Sequence, residues 1–80
     1  MQWQKLENVN PPIDALLLLY ATGSGTVRFA IRDAEDVLNI ATGYSKGKLE
    51  DVLMMTPYKA FKERHGSVML WCLFKDPYEH

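Results

Sequence analysis

A single cysteine, Cys72, rules out an internal disulfide. It lies within an apolar run and reads as a buried small hydrophobe rather than a reactive thiol. Histidine is nearly as scarce, with only His65 and His80. His80 is the last residue. His65 falls at the end of a helical pattern, where the helix dipole favours an imidazolium and a capping role outweighs a catalytic one. No motif joins the cysteine to a histidine and no Gly-x-Ser-x-Gly elbow occurs, so nucleophilic catalysis is unsupported. No His/Cys spacing suits zinc. The acids Asp33, Glu35 and Asp36, and the pair Glu50 and Asp51, fit the first turns of helices, where the dipole attracts them. The expectation is a non-enzyme: no catalytic residue, no metal ligand and no cofactor.

Net charge is also scarce, at −1. Nucleic-acid binders draw their affinity from Lys and Arg neutralising phosphates, so this balance argues against nucleic acid as the partner. No apolar run reaches the ~18 residues of a membrane span, and no basic-plus-apolar leader opens the chain. Asn-x-Ser/Thr is absent too. These absences lead to the expectation of a cytoplasmic protein. There is no internal repeat and no linker, so residues 1–80 are read as one domain. Its 48% apolar and 24% charged residues suit a globular chain. A core this small gains from oligomerisation or a partner.

What is present is patterning. Residues 1–6 suggest a weak edge strand, and Pro11-Pro12 mark a connector. Residues 13–21 read as a strand with no polar position from Leu16 to Tyr20. Thr22-Gly23-Ser24-Gly25-Thr26 suits a hairpin loop; a phosphate loop would need Gly-Lys-Ser/Thr and a helix after it. Residues 26–32 alternate, with Val27, Phe29 and Ile31 on one side and Arg28, Ala30 and Arg32 on the other. The period then changes. Asp33 as N-cap, the stripe Ala34, Val37, Leu38 and Ala41, and Gly43 predict a helix. Leu49, Val52 and Leu53 predict a second, looser one. Thr56-Pro57 as N-cap and N1, Tyr58, Phe61 and His65 on one side, and Gly66 as a stop predict a third. Residues 67–74 form the last strand, apolar on both faces, ended by Asp76-Pro77. The fold class expected is α+β: an antiparallel sheet of three to four strands with two to three helices packed on one face.

Two strands, 13–21 and 67–74, are thus apolar on both faces, which places them in the middle of a sheet. Contiguous helices reach only one face. The other needs a cover, and a homodimer or a partner protein is the expected one. One candidate set for that face is Leu16, Leu18, Val68 and Leu70. The other is Trp71 and Leu73 with Leu17 and Leu19. Arg28 and Arg32 beside Tyr20 and Trp71 form a candidate anion or nucleotide site, with guanidinium forks for the anion and rings for stacking. The alternative for the two arginines is pairing with acids such as Asp14. Lys46, Lys48, Lys59, Lys62 and Arg64, around a junction of two helices, could imitate a helix-turn-helix, although Glu50, Asp51 and Glu63 are interleaved.

The two ends, "WQKLENVNPPIDALLLLY" and "LWCLFKDPYE", resemble a family of small phage and prophage proteins of uncharacterised function. That family opens with a Trp, passes a Pro-containing turn and enters a Leu/Val-rich strand ending in Tyr. Its closing stretch is His-Trp-Met-x-Leu-Pro-x-Pro-Pro-like, and Trp71, Phe74 and Pro77 fall on its Trp, Leu and Pro. Leu70 stands where the family has His, which removes any role of that His. Residues 33–66 do not match, although "FAIRDAEDVL" resembles the N-terminal part of viral antirepressor domains. The resemblance implies a phage-type protein in the host cytoplasm that binds a host protein, as an inhibitor or a modulator of host defence. A nucleotide or small-signal-molecule sequestering protein and a small DNA-binding regulator are the alternatives.

Overall fold

The computed structural model describes residues 2–75. The Asp76-Pro77 stop and His80 lie outside them. The described chain forms six strands and one short helix: β1 (Gln4–Lys5), β2 (Leu16–Ala21), β3 (Thr26–Arg32), β4 (Val37–Ser45), β5 (Lys48–Pro57), α1 (Tyr58–His65) and β6 (Met69–Leu73). A single 3-10 turn, Gly66–Val68, joins α1 to β6. All pairings are antiparallel, and the sheet order is β1-β6-β2-β3-β4-β5. This corrects the expected α+β class with three to four strands and two to three helices. The fold is mostly β, and two of the three expected helices are strands.

The β2–β3 hairpin follows its pattern. Leu16 pairs Ile31 and Ala21 pairs Thr26, and the loop between them turns through Gly25 at φ +70°. The chain then departs from the helical reading. Asp33 is a cap, but of a turn: its Oδ1 accepts from the Glu35 and Val37 amides at 2.9 and 3.0 Å. Asp36 sits at φ 63°, a left-handed conformation that cannot propagate a right-handed helix. Leu38 and Ile40 then alternate along β4, both buried. Of the helically spaced stripe, Leu38 points inward from β4, Val37 and Ala41 lie on the other face of that strand, and Ala34 belongs to the turn.

The second expected helix is the outer half of a hairpin. Lys46 and Gly47 have φ of 53° and 80°, both positive, as a two-residue type I′ turn requires. Ser45 pairs Lys48 across it. Leu49, Val52 and Leu53 therefore lie on β5. The register passes from Ile40–Met54 to Ala41–Val52, leaving Leu53 as an extra, bulged residue. The bulge and the left-handed Asp51 bend this long edge strand and make it a poor template for another chain.

The third helix is present. Pro57 is its N-cap residue, one position later than the Thr56 reading, and makes no side-chain cap bond. The Tyr58 amide instead donates to the Asp36 carbonyl at 2.9 Å. Tyr58 and Phe61 are the buried pair of α1. They descend on Leu17, Leu19, Ala30, Leu38, Ile40 and Trp71, and Leu6 joins the same core. The Trp71 indole N–H is satisfied by the Val9 carbonyl at 2.9 Å. The doubly apolar strands β6 and β2 are neighbours inside the sheet. Among the described residues no helix is long and apolar enough to cross a membrane.

Asp33 gives the turn a pH dependence. The Val37 amide chiefly, with Asn39 and Glu35, holds its carboxyl below the ordinary 3.8, against some desolvation. A carboxylate lowered on folding stabilises the fold above 3.8, and that contribution disappears as pH falls through the lowered value. Thermal unfolding measured from pH 5 to pH 2 should therefore lose stability less steeply in Asp33→Ala than in the native chain. Equal slopes would show that the turn does not depend on this charge.

Candidate functional site

Cross-strand partners share a face, so the pairing assigns each side chain of the sheet. Leu17, Leu19 and Trp71 lie under the helix and are buried. Leu16, Leu18 and Tyr20, with Ile31, Phe29 and Val27 opposite them, point the other way. Leu70 pairs Tyr20 and Cys72 pairs Leu18 on that same side. β3 is therefore inverted relative to its appearance. Its purely apolar side, Val27, Phe29 and Ile31, is the side α1 does not cover. Its mixed side, Arg28, Ala30 and Arg32, is the side α1 covers.

The open face is held by rings rather than by a second layer. Phe29 packs edge-on against Phe74, with centroids 5.6 Å apart, and lies 6.1 Å from Tyr44. Trp3 lies 5.8 Å from Tyr20 near the β1 border. Cys72 is buried, and burial pushes its thiol above 9.0, away from a reactive thiolate. Around these half-buried residues Val27 is 44% exposed and Val52 47%. Within β2, β3 and β6 this face carries no charged side chain. Of the candidate set, Leu16, Leu18 and Leu70 lie on it. Val68 does not: it sits on the exposed 3-10 turn.

The candidate anion site is not assembled. Tyr20 is on the open face and Trp71 is buried on the covered one. Arg28 and Arg32 share the covered face but differ in occupation. Arg32 Nε donates to Asp36 Oδ1 at 2.7 Å, and its Nη1 donates to the Pro11 carbonyl at 2.9 Å. Its guanidinium lies 4.2 Å over the Tyr58 ring. The acid is Asp36, four residues on across the turn, rather than Asp14. Among the described residues Arg28 makes one bond, to the carbonyl of its neighbour Val27 at 3.1 Å.

No family model, curated protein or solved structure matches the chain. The site is therefore read from its own residues. Among those described, no three of His, Cys, Asp and Glu gather as metal ligands. The helix-turn-helix imitation disappears, because Lys46 and Lys48 sit at a β-hairpin turn and the described residues form only one α-helix. Sequence reasoning missed Val27, Phe29 and Ile31 as open-face residues. Their alternation was visible; the side it pointed to was not.

Proposed function

We propose that this chain is a small non-enzymatic binding protein of the phage type that acts through the open face of its sheet. In isolation the face is closed by a second copy, and in its working complex by a host protein. The observation that carries this reading is the orientation of β3: its all-apolar side, continuous with Leu16, Leu18 and Leu70, is turned away from α1, half-buried and with Val27 exposed. An apolar face of this extent marks an interaction surface. The uncovered face of β2, β3 and β6 carries no charge, so two copies meet there without stranding an unpaired ion, and a two-fold contact is self-complementary. The resemblance of both chain ends to small phage proteins supports the same class.

A pair of substitutions tests it. Leu18→Lys places a charge at the centre of the open face and should yield a folded chain of half the native mass, with an unchanged circular dichroism spectrum. Leu19→Lys, one residue away, places the same charge in the core and should not fold. A Leu18→Lys chain that keeps the native mass would remove the open face from the interface.

A further inference from the structure

The covered face holds a second feature that the docking surface does not use. α1 does not extend over the β2–β3 hairpin end, and a cavity of about 240 Å³ remains between them. Its walls include Leu19, Ile40, Phe61 and Met69, and Arg28 and His65 also line it. The walls are hydrocarbon, so water gains little there. Arg28 is the anomaly. It rises beside Leu19, its buried cross-strand partner, on the side of the sheet that carries the core. Arg32, four residues on, spends its guanidinium on a carboxylate, a carbonyl and a ring. Among the described residues Arg28 has no acid within ion-pair distance, and its one hydrogen bond leaves most of the fork free. His65 lies against Phe61, with ring centroids 5.0 Å apart, and its ring lines the same cavity.

We propose that this cleft is a binding site for a small apolar carboxylate, its hydrocarbon body among Leu19, Ile40, Phe61 and Met69 and its head on Arg28. A planar guanidinium pairs a carboxylate through two parallel N–H bonds, and an apolar wall prices any polar body out. The volume limits the size. A dry cavity of about 150 Å³ holds a benzene ring, so this one takes a body of roughly two fused rings. The inference is independent of the open face, which lies on the other side of the sheet.

The test uses 2-naphthoate and its neutral isostere 2-acetylnaphthalene, followed through the methyl resonances of Ile40 and Met69. Naphthoate should shift both methyls saturably in the native chain. Arg28→Gln should weaken that binding about tenfold or more, the loss of a charge-assisted pair, while leaving the unfolding midpoint unchanged because Arg28 makes no tertiary bond among the described residues. The ketone should bind the native chain and the variant alike, and more weakly than the acid. Either of two results would overturn the proposal: naphthoate that binds both proteins equally, or methyls that do not move at millimolar naphthoate.

Discussion

Leu19→Ala is expected to remove about 3–4 kcal/mol of stability, the cost of deleting a buried leucine side chain and enlarging the space beside it. Leu19 lies at the centre of the covered face, 1% exposed. It is flanked by Arg28 on β3 and Trp71 on β6. Phe61 and Tyr58 belong to the same core. A domain of 80 residues holds only about 4–12 kcal/mol in total, so a single truncation removes a large share. At about 4–8 °C per kcal/mol the melting temperature should fall by tens of degrees. Urea unfolding at fixed protein concentration measures the loss directly. A cost below about 1 kcal/mol, typical of a surface position, would mean that α1 does not close this face.

The second large effect is expected at Arg32. Its three contacts join segments that are distant in the chain: the Asp36 turn, the Pro11 connector and the Tyr58 ring at the start of α1. Tyr58 extends the arrangement through its hydroxyl, which donates to Asn10 Oδ1 at 2.7 Å, an oxygen that also accepts from Lys62 Nζ at 2.7 Å. Burial pushes the Tyr58 phenol above its ordinary 10.0, and the Arg32 charge opposes that rise. Arg32→Ala leaves the Pro11 carbonyl and Asp36 without this donor and α1 without one of its ties to the sheet. The expected cost is about 2–3 kcal/mol, discounted because the pair is partly solvated. Arg32→Lys should recover little, since an ammonium cannot bond in two directions from a plane stacked on a ring. Full recovery in the lysine variant would reduce the contact to simple charge.

These two positions also show what was legible in the chain. The β2–β3 hairpin could be read because its loop glycines and period-two alternation are local signals. Strands β2 and β6 could be placed inside the sheet because both their faces are apolar. Residues 33–57 misled for a physical reason. Val37, Leu38 and Ala41 satisfy helical spacing by coincidence, and the features that forbid a helix are conformations rather than residue types. Asp36 and Asp51 adopt left-handed φ, and Lys46-Gly47 makes a hairpin turn without the usual Asn or Asp. β-branched Val37 and Ile40 were the available counter-signal.

The candidate sites were legible in part for the same reason. Alternation correctly divides Leu16 and Leu18 from Leu17 and Leu19. It does not say which set meets α1, because that depends on Leu6, Tyr58 and Phe61 arriving from elsewhere in the chain. It also pairs Arg28 with Arg32 on one face, yet the groups that occupy Arg32 come from the turn, the connector and the helix. Tyr20 and Trp71 differ by one step of register, which puts them on opposite sides of the sheet.

Sedimentation equilibrium of the native chain, from micromolar to hundreds of micromolar, tests most directly whether the open face is an interface. A closed face requires a species of twice the 9.2 kDa chain mass that dissociates on dilution, and a Leu18→Lys chain at 9.2 kDa throughout. A native chain that stays at 9.2 kDa across the range and binds no hydrophobic dye would contradict the account, because the apolar side of β3 would then rest in water without a partner.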